Sequence, residues 1–470
     1  MINDFNLFRD SIIQTFSDCD DFICRQGGKE NSRFAMISFK GITSRDYVSD
    51  MLLRPLLNTD LKNFDGNFSN IIVNPSLIPI SDANEAANMI IRGNVLILIE
   101  SELGFFKIIA NAEISTGRTV QEPGSDITIR GPKAGFVEDA EKNIAMLRRY
   151  IRTPSLKLLK FVVGDISQTN VFIAYIDDRV DKKLVEAVST KLTNAKANVI
   201  TDSTNIAMIL DEGKGKSSLL PNCGSSEKVD KVASKLMAGR VAIIVDGSPF
   251  VLTLPFLFIE GLQAADDYLH TPFYATFIRL LRFISFISAI FAPAILCAVI
   301  NSNPEIMPNE LYGLISESRR DIPVSFFWEI VVVLTLFETL REVGVRMPRT
   351  VGDAVGIVGS IILGNTAVEA GLVSSVGVIT VAFSAVCAFI TPAYMYVIVL
   401  SRIVVLIIAE LFGVVGLVSS VIVLFLLLCL KKSFGVPYMT PLIPFDAKGM
   451  QDTLLCLPKK ILGRNETFEK

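Results

Sequence analysis

Residues 394–430 read YMYVIVLSRIVVLIIAELFGVVGLVSSVIVLFLLLCL, and Arg402 and Glu410 are the only charges among them. Two apolar runs, 394–411 and 414–430, meet at a glycine, and each comes close to the roughly 20 residues that cross about 30 Å of hydrocarbon. Four more apolar runs precede them, at 283–300, 324–340, 351–366 and 372–390. Between positions 283 and 430 there is no Lys, and positive charge is confined to Arg319, Arg320, Arg341, Arg346, Arg349 and Arg402. The sequence therefore predicts an all-α polytopic membrane domain of four to six crossings over 283–430. The third and fourth runs leave the count open, because they can also form a re-entrant pair.

Basic loops set the orientation. Arg279 and Arg282 precede the first run, Arg341, Arg346 and Arg349 follow the second, and Lys431 and Lys432 follow the last, whereas 301–323 holds two Arg against three Glu and one Asp. An even number of crossings places both termini on the cytoplasmic side, with 431–470 as a basic tail. The opening MINDFNLFRDSIIQTF is acidic early and its apolar run is too short for a secretory signal, so the first 280 residues are expected in the cytoplasm.

Those residues carry charge every few positions and predict an α/β region of two small subdomains. After an N-terminal segment (1–33), the first subdomain (34–118) offers a helix capped by Ser44, a second helix from about Asp82, and a hairpin of NVLILIE with GFFKIIA turning near Gly104. A Gly- and Pro-rich connector with a helix follows (119–155). In that helix Phe136, Val137, Ala140, Ile144, Leu147 and Ile151 recur at helical spacing, and Arg148, Arg149 and Arg152 close its negative end. The second subdomain and a pre-membrane linker occupy 156–282, with strands in KFVVGDIS and NVFIAYID and a hairpin turning at Asp246-Gly247.

Composition narrows the chemistry. The 470 residues include 50% hydrophobic, 20% charged and one His, with a net charge of -3. The mean hydropathy of +0.48 and pI near 5.6 argue against disorder and nucleic-acid binding. A single His speaks against zinc enzymes and Ser-His or Cys-His catalysis, so no enzyme, metal or cofactor is expected. Cys297, Cys387 and Cys429 sit in apolar runs as small hydrophobes, and Cys19 and Cys24 lack a second ligand pair. EGKGKSS at 212–218 ends like a phosphate-binding loop, but Leu210 stands where the first glycine belongs.

Candidate functional residues lie in the apolar half. Charged groups inside spans are costly and usually functional: Glu329 and Glu338 in the second run, Arg402 and Glu410 in the fifth. Glu329 and Glu338, nine apart, point to opposite faces of a helix, so Arg402 paired with a carboxylate of another helix is one structural expectation. In the third run, Gly352, Gly356, Ser360 and Gly364 repeat every four residues as a ridge for close helix packing. The opposite face holds Val351, Val355, Val358, Ile362, Asn365 and Glu369. Either that face meets lipid and its polar end reaches water, or it lines a pore, with Val358 and Ile362 as a dewetting constriction and Glu369 as an acidic ring.

TGRTVQEPGSDITIRGPKAGFVED, NIAMLRRYIRTPSLKL, ESRRDIPVSFFWE, FETLREVGVRMPRTVGDAVGIVGSIILGNTAVEAGLVS and KKSFGVPYMTPLIPFD together resemble the GerA-type spore germination receptor A-subunit family, and a related sporulation group shares the architecture. The resemblance implies a multi-pass protein of the spore inner membrane. It implies a transporter-like B subunit and a lipoprotein C subunit as partners, and self-association into a homo-oligomer acting as a nutrient-gated channel for monovalent cations. On that reading the connector, with Arg118, Glu122, Arg130 and Glu138, passes the nutrient signal to the pore. The alternatives are a secondary transporter, which predicts a repeat with matching interrupted helices, and a non-conducting scaffold of the receptor cluster.

Overall fold

The protein is seen in a computed structural model, which describes residues 4–29, 32–74, 76–114, 132–211, 219–264, 266–267, 270–320, 322–348, 352, 356, 359, 361–447, 449–451 and 453, with backbone alone at 29, 362, 363 and 451. The chain divides into two compact units, Met1–Phe256 (with Gly463–Lys470, outside the described residues) and Leu257–Leu462.

The first unit holds two five-stranded antiparallel sheets. Helix α1 (Phe5–Thr15) leads into strands β1 (Phe22–Lys29) and β2 (Ser32–Phe39). Helices α2 (Arg45–Tyr47) and α3 (Arg54–Asn58) flank a π-helical stretch, Val48–Leu53, and Ser44 caps α2 by accepting from the Tyr47 amide. Next come β3 (Leu77–Pro79), α4 (Ala83–Ile91), β4 (Asn94–Ser101) and β5 (Gly104–Asn111), giving the order β1-β2-β4-β5-β3.

Both faces of this sheet are covered, which is why β4 reads as an unbroken apolar run rather than an alternation. Phe5, Phe8, Ile12 and Phe16 pack with Ile90 on Phe39, Leu96 and Leu98, while Leu52, Leu56 and Phe68 cover Phe34, Val95 and Ile97. The boundary expected at position 34 is thereby corrected: the N-terminal segment is part of the first subdomain, because its Phe/Ile face and strand β1 complete that core.

The second sheet is built from β6 (Leu156–Val163), β7 (Thr169–Ile176), β8 (Gly224–Ser226), β9 (Val241–Val245) and β10 (Val251–Leu254), in the order β6-β7-β9-β10-β8. Helices α5 (Ala140–Tyr150) and α8 (Val229–Met237) bury Ile144, Leu147, Val232 and Leu236 against it, and α6 (Lys182–Thr193) and α7 (Ser203–Asp211) also pack there. Helix α5 starts later than the spacing implied: Asp139 is its N-cap, and Phe136 and Val137 precede it.

A strand-like contact joins the subdomains. Cys19 pairs in parallel with Leu158 of edge strand β6, with Asp20 N to Leu158 O and Leu158 N to Asp18 O both at 2.9 Å. Beside it the fully buried Arg148 grips Asp21 through Nε and, at 2.7 Å, through Nη2. Arg148 stands in the last turn of α5, as the sequence suggested, and it also joins two sheets. Burial opposes its charge, yet Asp21 holds the guanidinium above its ordinary range.

The second unit is a bundle: α9 (Pro272–Ser302), α10 (Asn309–Ser318), α11 (Phe326–Arg346), α12 (Ser375–Phe389) and α13 (Met395–Leu430). Two helical stretches, Pro272–Ser302 and Pro392–Leu430, are long and apolar enough to cross a membrane, with mean hydropathies of 2.5 and 2.9. Side chains such as Leu411, Val415 and Phe425 are half or more exposed, as a lipid-facing surface requires.

Helix α13 is two helices. At Gly413 the backbone takes φ 59° and ψ -142°, and a Cβ on Gly416 would stand 2.6 Å from the Ile408 carbonyl, so 414–430 folds straight back along 395–412. Contacts set the direction of each run. Tyr394 meets Phe286 while Gly413 meets Ser302, so 395–412 runs parallel to the last part of α9. Ser374 at the start of α12 meets Glu329 near the start of α11, and Phe389 meets Phe337, so α11 and α12 run together.

Two boundaries shift in this unit. Helix α9 begins at Pro272, inside the stretch expected as linker. Residues 431–447 are more than a basic tail: Lys432–Ser433 pairs with Val436–Pro437, Tyr438 is fully buried, and its carbonyl accepts from Phe258 N at 2.9 Å.

Candidate functional site

The third apolar run is described only in part. Gly352, Gly356, Gly359 and Ile361 are helical, Ile362–Thr366 forms a π-helical turn, and Ala367–Glu369 closes the run. Val351, Val355, Val358 and Ser360 lie outside the described residues, as does the side chain of Ile362. Asn365 and Glu369 are exposed.

The glycines of this run divide into two sets. A Cβ on Gly352 would lie 3.3 Å from the Gly344 carbonyl, and one on Gly359 would collide with Leu340 at 2.6 Å, so these two seat the run against α11. Gly356 and Gly364 face open space. Of the expected ridge, Gly352 is thus a close-approach position within the chain, and a Cβ on Gly356 or Gly364 would meet nothing within 4 Å among the described residues. Gly359, which the four-residue repeat passed over, is the second contact.

Polar side chains inside the bundle form three groups. Glu329, almost wholly buried, accepts from Ser374 N at 2.8 Å, from Ser374 Oγ, and from Arg319 Nε at 3.3 Å. It anchors the N-cap of α12 just beyond the third run. Lower on α11, Glu338 pairs with Arg341, and Arg402 Nη2 approaches it at 3.9 Å while Nη1 donates to Ser384 Oγ at 3.0 Å. In the third group Glu410 accepts from Asn301 Nδ2 at 2.6 Å and from Cys297 Sγ at 3.2 Å, one turn before the Gly413 reversal.

The four charged residues singled out from the sequence thus fall in three clusters, with Glu338 and Arg402 sharing one. Glu329 and Glu338 do not meet, and Arg402 takes its carboxylate from another helix. Arg319, Ser374, Ser384 and Asn301 complete the clusters. Sequence reasoning missed them because a lone serine or asparagine in an apolar run gives no signal until its partner is placed.

Of the connector residues, Arg118, Glu122 and Arg130 lie outside the described residues. Glu138 has an exposed side chain, and its carbonyl accepts from Gly247 N at 2.7 Å. Among the described residues no group of three or more His, Cys, Asp or Glu is arranged to hold a metal. Residues 212–218 lie outside the described residues.

Comparison with known proteins places this architecture. The chain is 33% identical over 449 residues to spore germination protein KA of Bacillus subtilis (strain 168), covering 93% of this chain and 81% of that one. It is 32% identical over 447 residues to the uncharacterized membrane protein YfkQ of the same organism (94% and 86% covered), and 28% over 439 residues to spore germination protein GerLA of Bacillus cereus (92% and 88%). The crystal structure of the N-terminal domain of the A subunit of the Bacillus megaterium spore germinant receptor GerK3 aligns with 53% of this chain and 94% of that one, at 23% identity and a TM-score of 0.38. The model of the Bacillus/Clostridium GerA spore germination proteins matches residues 10–467, and the chain belongs to that family.

Proposed function

We propose that this chain is a germination-receptor A subunit that assembles with copies of itself into a nutrient-gated path for monovalent cations across the spore inner membrane. A transporter-like B subunit and a lipoprotein C subunit complete the receptor, and the chain's role is not enzymatic. The second unit crosses six times: α9, α11, the third run, α12, 395–412 and 414–430. Both termini then lie on the core side, with the basic loops.

The observation that carries the reading is the third run itself. Gly352 and Gly359 hold it to α11, while among the described residues nothing lies within 4 Å of where a side chain would begin on Gly356 and Gly364, and Asn365 and Glu369 are exposed. By the helical spacing of the sequence alone, Val351, Val355, Val358 and Ile362 are expected roughly a quarter-turn from Gly352 and Gly359, with Asn365 and Glu369 at the far end of the π-helical turn. In a ring of copies that face borders the axis. Val358 and Ile362 form the dewetting gate, Asn365 and Glu369 the wet, cation-favouring mouth, and the open glycines the contact with the next copy. The π-helical turn at Ile362–Thr366 is a place where a helix changes register at low cost.

Gating requires that nutrient binding to the partner favour one of two states of the A-subunit ring. The connector with Arg118, Glu122, Arg130 and Glu138 couples the N-terminal unit to that equilibrium. Single-channel recording of the reconstituted full chain with its partners tests the reading. Val358→Ala and Ile362→Ala are expected to leak without nutrient, and Glu369→Gln to move the reversal potential toward zero under a salt gradient. Unchanged currents in all three variants would reject the pore.

A further inference from the structure

We propose that the groove between α11 and 395–412 holds one anionic phospholipid, with its phosphate beside Arg402 and one acyl chain lying along α11. The proposal rests on the membrane reading above and is independent of ion conduction.

Charge is the first observation. Arg402 is 3% exposed, and its nearest carboxylate, Glu338, is already held by Arg341. Glu342 is likewise taken by Arg346, at 2.7 Å. Among the described residues here, Arg341, Arg346 and Arg402 face only Glu338 and Glu342, which leaves one positive charge over. The Nε atoms of Arg402 and Arg341 are buried without a hydrogen-bond partner among the described residues. A guanidinium kept from water with its Nε–H unused is costly, and a single phosphodiester supplies both the missing charge and an acceptor.

Shape is the second. A cleft of about 400 Å³ lies between Trp328, Val331 and Leu334 on one side and Val399, Ile403 and Leu406 on the other, with Glu338 and Arg402 also in its lining. A second cleft of about 520 Å³ continues from Thr335 and Glu338 past Glu342 to Arg346. Together they make one groove, apolar along the first half of α11 and charged along the second. From Phe327 to Glu338 the helix rises about 16 Å, the stretch an acyl chain would follow, and from Glu338 to Arg346 it rises about 12 Å more, the stretch left to the headgroup end. Its charged end belongs to the basic side of the membrane, and Arg346 there is open to the interface. An opening at that end admits a headgroup, which favours a bilayer phospholipid.

The test uses the full-length chain in detergent, stripped of lipid and then given phosphatidylglycerol or phosphatidylcholine of identical chains. Native mass spectrometry counts bound lipid and a melting scan reads stabilisation. One phosphatidylglycerol per chain is expected, with a larger melting shift than phosphatidylcholine gives. Arg402→Gln should bind it about fivefold more weakly, Arg402→Lys should keep most of the affinity, and Lys431→Gln, outside the groove, should match the parent. Leu406→Trp fills the groove with every charge in place and should also lose the lipid, so the test survives if Arg402→Gln fails to fold. Equal binding of the two lipids, or phosphatidylglycerol binding unchanged in both groove variants, overturns the proposal. So does a response to laurate with none to phosphatidylglycerol, which would assign the groove to a free fatty carboxylate. Lipid selectivity in a chain that carries no ion current even when reconstituted with its partners and given nutrient supports the groove and rejects the pore. A chain that stays dissolved without detergent overturns both.

Discussion

Arg148 and Asp21 show what a single pair contributes. They lie 127 residues apart, both are buried, and the guanidinium also stacks 4.0 Å over the Phe39 ring. Removing one partner of such a pair leaves an unmatched buried charge and typically costs about 3–5 kcal/mol. Asp21→Ala is therefore expected to lower the unfolding free energy of the N-terminal unit by that amount in a denaturant titration, and a change under about 1 kcal/mol would mean the pair is not a joint.

Asp202 makes a pH prediction. Burial pushes its carboxyl up, but hydrogen bonds from the Ser248 and Thr204 hydroxyls and from the Ser203 and Thr204 amides outweigh that and bring it down to about 2. A carboxylate depressed in the folded state stabilises it above the ordinary value of 3.8, and the contribution is lost as pH falls toward 2. Acid unfolding curves of Asp202→Asn should lack that component, and identical curves for both proteins would contradict it. Neither role was legible beforehand. Arg148 read as a helix-end cation because its partner belongs to another sheet, and Asp202 owes its environment to a serine in the β9–β10 hairpin.

At the scale of elements, periodicity carried most of the information. The Ser44 cap, the β4–β5 hairpin and the turn at Asp246-Gly247 follow from local rules of capping, alternation and turn chemistry, and all three are present. Local rules were blind to strand β1 and to the parallel contact of Cys19 with β6, since an edge strand shows its partner only after folding.

The break at 411–414 was visible as a gap between two apolar runs, and its geometry explains the residue found there. Gly413 occupies a conformation almost reserved for glycine, and a Cβ would also sit 2.8 Å from the Ser302 Cβ. Gly413→Ala is expected to destabilise the hairpin by roughly 1–3 kcal/mol, lowering the melting temperature in detergent. A melting temperature equal to the parent's would show that the reversal tolerates a side chain.

For the whole molecule, the legible quantity is the distribution of charge. The absence of Lys between 283 and 430 separates an α/β unit from an apolar bundle before any element is assigned, and the two compact units divide close by, at Leu257. What charge does not reveal is which polar groups of the bundle meet. Glu329, Glu338, Arg402 and Glu410 stood out singly, but their grouping with Ser374, Ser384 and Asn301 depends on helix packing that one sequence leaves unspecified. The candidate pore face was legible as a pattern at the third run, because glycines at helical spacing beside a polar end differ from an ordinary lipid anchor.

The proposed pore requires that this face border water. Single cysteines placed from Gly352 to Glu369, in a chain whose native cysteines are replaced by alanine, can be reacted with a membrane-impermeant thiol reagent from either side. The account predicts labelling at Asn365 and Glu369 from the outer side, and at Val358 and Ile362 only once the receptor is opened by nutrient. Uniform protection along the whole face, in both the resting and the stimulated receptor, would contradict it.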